Sequence, residues 1–243
     1  MRDKKIMTKN SIQDKILPVM VVALIGAAFA LGMMWGKVQV YEKGSTSIVQ
    51  NDQIFEPEEP VNLDDDQWEK VISTAAYILG DENAPITVVE FTDYQCSWCE
   101  KFYVDQHKQI IKDYVDTGKA RYVFQDKPSF QNSQEAAKAA RCAGNQDNYL
   151  EMHDLIFENV GEWSVGKVED VFGSYVSDLG LDKTLFDECY ASEEMDQIIN
   201  ESLSIAGELN VGGTPTFFIN KEILVGAQPI ENFVEIFDKI LGN

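Results

Sequence analysis

The sequence predicts an α/β fold in which a long helical block interrupts the strand-forming segments, preceded by one N-terminal transmembrane helix. Three observations carry this. Strand signals near residues 86–94 and 121–124 flank a helix signal, and two further strand signals return only at 216–225. Between them, residues 133–209 read almost wholly as helix and short connections. Near the N-terminus, residues 16–35 form an unbroken run without a charge.

The 243 residues leave room for one ordinary domain plus extra segments. With 44% hydrophobic and 25% charged residues, the composition is that of a globular chain able to bury a sizeable core. Charge is unevenly spread. Arg2, Lys4, Lys5, Lys9 and Lys15 crowd residues 1–15 against only Asp3 and Asp14, within a total of −21. The remainder is strongly acidic and repels phosphate backbones, so nucleic acid is not an expected partner.

Taken in order, residues 1–15 read as a basic cytoplasmic tail and 16–35 as a transmembrane anchor. The run from Ile16 to Trp35 is long enough at 1.5 Å per residue to cross roughly 30 Å of hydrocarbon. The positive-inside rule then puts the chain after Lys37 outside the cytoplasm. A cleaved signal peptide is the competing reading, since Ala28-Phe29-Ala30 resembles a processing site. The apolar run, however, continues past that site and exceeds the usual h-region. Residues 36–77 read as a polar stalk or linker, with Gly44-Ser45-Thr46-Ser47 and an acidic run at Asp64-Asp65-Asp66. That run would suit Ca²⁺ only with a turn glycine and a distant carboxylate, which are lacking.

Dense structure is expected from residue 78 to the end. Gly80 to Pro85 is a turn, and Ile86–Tyr94 has the β-branched and aromatic content of a buried strand. A helix follows Cys96 to about Val115, where Asp116-Thr117-Gly118 stops it; Arg121–Phe124 is the next strand. In the helical block, apolar residues such as Leu150, Met152, Leu155, Ile156 and Phe157 recur at three- and four-residue spacing. Thr216–Asn220 and the segment EILVG form a hairpin pivoting on Asn220-Lys221, and Pro229–Leu241 is a final helix.

Chemistry is concentrated in Cys96-Ser97-Trp98-Cys99, a C-x-x-C at a strand-to-helix junction. Unpaired N–H groups at a helix N-terminus stabilise a thiolate, so Cys96 is expected to be exposed, low in pKa and nucleophilic. Cys99, one turn further in, is placed to resolve a mixed disulfide. Zinc would need two more ligands, usually a second close pair, and neither Cys142 and Cys189 nor His107 and His153 have such spacing. The histidines read as helix-surface or packing residues. No metal and no cofactor are expected. Glu90, six positions before Cys96 in an apolar strand, is a candidate proton acceptor for the inner thiol if it is buried. Alternation leaves open whether it faces solvent instead. Pro215, after Gly212-Gly213-Thr214, belongs at the start of a strand, where a cis bond is compatible though trans is the default. Cys142 and Cys189 are either a structural disulfide, favoured in an oxidising compartment, or two buried thiols.

Together these segments resemble the DsbA-like branch of the thioredoxin superfamily, in particular its membrane-anchored members. The resemblance covers about residues 79–241 and rests on LGDENAPITVVEFTDYQCSWCEKF, CAGNQDNYLEMHDLIFEN and LNVGGTPTFFINKEILVGAQP. It implies a thioredoxin-like fold with an inserted helical domain at about 133–209. It further implies a redox-active Cys96–Cys99 disulfide, a cis-Pro215 facing it, and Thr214 helping to bind extended substrate backbone. Glu90 matches the family's buried acid, and Cys142–Cys189 a second disulfide found in part of the family. Ser97-Trp98 departs from the Pro-His dipeptide of strongly oxidising members, so a less oxidising protein is expected. The implied function is disulfide formation in exported polypeptides that contain cysteines, with reoxidation by a quinone-linked membrane oxidase of DsbB-like or VKOR-like type. A reductase or isomerase fed from the membrane is the alternative, and a non-catalytic holdase a more distant one.

Overall fold

A computed structural model of the chain describes residues 63–242. The expected basic tail, the transmembrane anchor and most of the expected stalk lie outside these residues. Among the described residues, no helix is long and apolar enough to cross a membrane.

The last part of the expected stalk is not a linker. Residues Asp65–Ser73 form helix α1, and Tyr77–Leu79 form strand β1. Asp64, from the acidic run, caps α1: its carboxyl accepts from the Gln67 N–H at 2.8 Å, and the Gln67 side chain accepts from the Asp64 N–H at 3.0 Å. This reciprocal capping satisfies two otherwise orphaned donors. Val71 on the inner face of α1 is fully buried, so the helix is part of the domain.

A turn carries the chain from β1 into strand β2 (Ile86–Thr92), as the sequence suggests. Gly80 takes φ +99° there, and a Cβ at this position would stand 2.8 Å from the Ala120 carbonyl oxygen. Helix α2 follows, opening at Ser97–Phe102 and running on through π-helical Tyr103–His107, α-helical Lys108–Ile110 and π-helical Ile111–Val115. Strand β3 (Ala120–Asp126) leads into the helical insertion. This comprises α3 (Ser133–Gly144), α4 (Tyr149–Glu158), α5 (Val160–Trp163), α6 (Val168–Asp178), α7 (Lys183–Tyr190) and α8 (Glu193–Glu208). The chain returns to the sheet with β4 (Thr216–Ile219) and β5 (Glu222–Val225), then closes with α9 (Ile230–Leu241).

The five strands lie in the order β1-β3-β2-β4-β5. β2 pairs in parallel with β3 and antiparallel with β4. Every residue of β2 is buried, because helices cover both faces of the sheet. Val88, Tyr122, Phe124 and Phe217 join the larger core on one face, and Val89, Phe91, Val123 and Phe218 join a smaller core on the other. Asn220 turns the β4–β5 hairpin at φ +52°, and its side chain ties the turn to β2, accepting from the Thr87 N–H at 2.7 Å and donating to the Pro85 carbonyl at 2.9 Å.

One link ties the insertion to the sheet, and another closes it within itself. Arg141 of α3 pairs with Asp126 at the end of β3 at 2.5 Å and donates to the Thr74 and Ala75 carbonyls. Cys142 of α3 and Cys189 of α7 are joined in a disulfide, the pairing that the family resemblance implies.

Candidate active site

Cys96 is the N-cap of α2, with extended backbone at φ −77° and ψ 118°, and its carbonyl accepts the Glu100 N–H at 3.0 Å. The expected exposure is corrected: Cys96 is only 9% exposed. The cause lies across the sheet, where the Thr214 carbonyl oxygen sits 3.3 Å from Cys96 Sγ and accepts from it. Thr214-Pro215 is a cis peptide, so the residue against the nucleophile is the one that precedes a cis proline. Ser97 and Trp98 project outward, Trp98 being 58% exposed. Cys99 is fully buried. Both cysteines are thiols in this structure, which therefore describes the dithiol form.

Electrostatics separate the two sulfurs. The hydrogen bond from the Cys99 side chain draws the Cys96 thiol down to about 5 against the opposing effect of burial; the Thr214 side chain and the backbone N–H groups of Cys99 and Trp98 assist. Burial pushes the Cys99 thiol up, and holding the hydrogen bond to Cys96 reinforces it. At neutral pH the outer sulfur is thus a thiolate and the inner one keeps its proton.

Glu90 is buried, at 3% exposed, which resolves its orientation toward the core. Its ladder partners are Phe124 and Phe217, and its Oε2 accepts from the Tyr122 hydroxyl at 2.6 Å. Burial raises its pKa to about 7, with the Tyr122 hydrogen bond and the nearby Thr92 hydroxyl pulling the other way. The Glu90 charge also pushes the Cys99 thiol up.

The structure therefore brings Cys96, Cys99, Glu90, Thr214 and Pro215 together at the carboxyl end of β2. Cys142 and Cys189 lie apart in the insertion. His107 and His153 are buried beside each other, with ring centroids 5.3 Å apart, inside an aromatic block. Among the described residues no group of His, Cys, Asp and Glu is arranged to hold a metal ion.

Three residues of the site have no sequence signal of their own. Tyr122 reaches Glu90 only through strand pairing. Thr92 is 2% exposed and faces the same core. Asp93, 1% exposed, accepts from the N–H groups of Gln95 at 2.8 Å and Ser129 at 2.6 Å and from the Ser133 hydroxyl, holding the loop before Cys96 against the start of α3.

A family model described as thioredoxin matches residues 73–239. The chain belongs to the thioredoxin family. Within this family it is similar to disulfide bond formation protein D of Bacillus subtilis, 28% identical over 181 residues that cover 68% of this chain and 76% of that one. It is also 34% identical over 158 residues to Na(+)/H(+) antiporter NhaA 1 of Salinispora arenicola, a match covering 64% of this chain. The chain spans only 23% of that antiporter's length. Among solved structures, alpha-DsbA1 of Wolbachia pipientis superposes with a TM-score of 0.62 at 26% identity, covering 68% of this chain and 90% of that one. The family match spans both halves of the sheet and the helical insertion between them.

Proposed function

We propose that the chain is an extracytoplasmic thiol–disulfide oxidoreductase that introduces disulfides into exported, cysteine-containing polypeptides. One observation carries this reading: a thiolate-forming Cys96 at a helix N-cap, against the residue that precedes cis-Pro215, with a buried Cys99. In the forward reaction a substrate thiolate attacks Cys96 Sγ of the oxidised pair. The Cys96–Cys99 bond breaks, and Cys99 leaves and takes a proton stored on Glu90. A second substrate thiolate then attacks the substrate sulfur of the mixed disulfide and expels Cys96, a good leaving group because its pKa is low. Thr214 supports the approach by offering backbone to an extended substrate beside Cys96.

The reduced pair is returned to its disulfide by a quinone-linked membrane oxidase of DsbB-like or VKOR-like type. The basic residues 1–15 and the apolar run 16–35 favour a single-pass anchor with the domain outside. The Cys142–Cys189 disulfide suits the oxidising compartment that this topology supplies. Membrane fractionation with impermeant thiol labelling of Cys96 in whole cells tests the topology; labelling only after lysis would overturn it.

Ser97-Trp98 favours a second reading, a reductase or isomerase supplied with electrons from the membrane. The Cys96–Cys99 reduction potential decides between them. A Cys96 thiol near 5 predicts a value between thioredoxin's roughly −270 mV and DsbA's roughly −120 mV. A value at the thioredoxin end would overturn the oxidase reading, and exchange activity surviving Cys96→Ser would overturn both.

A further inference from the structure

Thr92 ends β2 two positions after Glu90, so strand alternation turns both side chains toward the face that carries Cys99. Its side chain is 2% exposed, and its Oγ1 is buried with no hydrogen-bond partner. The Glu90 carboxyl and the Cys99 thiol are the two acidic groups that this hydroxyl acts on, and it lowers the pKa of each. A buried hydroxyl with no settled partner is unfavourable, and a valine there would fill nearly the same space without that penalty. A hydroxyl both donates and accepts, so it can pass a proton in either direction where a methyl group cannot.

We propose that the Thr92 hydroxyl relays the proton between the Glu90 carboxyl and the Cys99 sulfur. The inference rests on disulfide exchange at Cys96–Cys99 with Glu90 as its internal proton store. When substrate thiolate bonds to Cys96 Sγ, the Cys96–Cys99 bond breaks and its electron pair stays on Cys99. Thr92 gives its hydroxyl proton to that sulfur and takes the Glu90 proton in exchange, leaving a Glu90 carboxylate and a Cys99 thiol. In the reverse direction the Cys99 proton passes to Glu90 by the same hydroxyl, and the Cys99 thiolate attacks Cys96 and expels the substrate thiolate. Glu90 is 3% exposed and sits between Phe124 and Phe217 of the neighbouring strands, so the relay gives this acid its connection to the reaction.

The test uses the oxidised full-length protein mixed rapidly with a reduced single-cysteine peptide, with acid quenching and counting of mixed disulfide from pH 5 to 9. Thr92→Val is expected to slow mixed-disulfide formation about tenfold or more at pH 7 and to flatten its pH profile. Its urea midpoint should equal or exceed that of the wild type, and the Cys96 thiolate titration should be unchanged. Thr92→Ser should restore the rate and the profile. Glu90→Gln should slow the same step, and the double variant Thr92→Val/Glu90→Gln should be no slower than the slower single variant. Should Thr92→Val fail to fold, Thr92→Ala carries the same comparison. A wild-type rate for Thr92→Val, or single effects that multiply in the double variant, overturns the relay while leaving Glu90 its role. A wild-type rate for Glu90→Gln removes the proton store itself, and activity in Cys96→Ser removes the exchange reading beneath both.

Discussion

Glu90 shows how one carboxyl can be both a functional group and a liability to the fold. Burial lifts its pKa from 4.5 to about 7, so between these values the folded protein holds a proton that the unfolded chain has released. Stability therefore falls as pH rises through that window and changes no further from this source above about 7. Glu90→Gln keeps an acceptor for the Tyr122 hydroxyl and removes the titration. In the dithiol form it is expected to be more stable than the wild type by about 3 kcal/mol at pH 8, with the difference gone by pH 4.5. Urea denaturation at the two pH values checks this; equal stabilities at pH 8 would show that the carboxyl is not desolvated. The sequence marks Glu90 as a charge in an apolar strand but not which way it points. A strand buried on both faces has no polar side to break the tie between Val88, Glu90 and Thr92 on one face and Val89 and Phe91 on the other. Cys96 and Cys99 were legible because spacing and junction both bear on the same atoms. The shielding of Cys96 was not, since it comes from Thr214, which is 118 positions away in sequence.

Among the elements, the connection between the redox loop and the insertion depends on Asp93 more than on any apolar contact that the sequence displays. One carboxyl oxygen accepts from the Gln95 N–H and the Ser133 hydroxyl, and the other accepts from the Ser129 N–H. The Asn132 N–H adds a bond of 2.8 Å to the Gln95 side chain. Asp93→Ala would leave buried donors unpaired and is expected to lower stability by about 3 kcal/mol or more. Asp93→Asn can keep the oxygen shared by Gln95 and Ser133, so it should lose roughly half as much. Urea midpoints for both variants check the order, and proteolysis should first cut the alanine variant between residues 127 and 132. An alanine variant as stable as the wild type would deny Asp93 this role. Helix and strand periodicity located α2, α3 and the β4–β5 hairpin, because amphipathic faces and a turn pair write themselves into local sequence. It missed α1, whose acidic N-terminus reads as linker until Asp64 and Gln67 cap each other. The π-helical turns of α2 have no period of their own to detect.

At the scale of the whole molecule, the β-α-β start, the helical block and the β-β-α return were visible in the order of the segments, but not how the insertion docks. It docks through an aromatic block that holds the only two histidines of the chain. His107 of α2 and His153 of α4 lie among Phe102, Tyr103, Tyr122, Phe124, Tyr149 and Phe157. Burial lowers both pKa values, that of His107 to about 3; His153 and Lys108 push His107 further down, while Asp154 pulls both histidines up. Both rings are thus uncharged in the folded protein at neutral pH. Below about 6.5 the unfolded chain takes up protons that these rings refuse, so their contribution is complete above that pH and is lost as pH falls below it, for His107 down to about 3. Each ring should remove about 1.4 kcal/mol per pH unit within its window, and protonated Glu90 offsets about one ring's share of this above pH 4.5. His107→Phe fits a site already lined by rings and removes one of the two titrations. Thermal unfolding at pH 7, 5 and 4 should show the variant losing less stability than the wild type at each acid step. Parallel losses in the two proteins would mean that acid opens the molecule elsewhere, and that the interface between sheet and insertion is indifferent to the charge on His107.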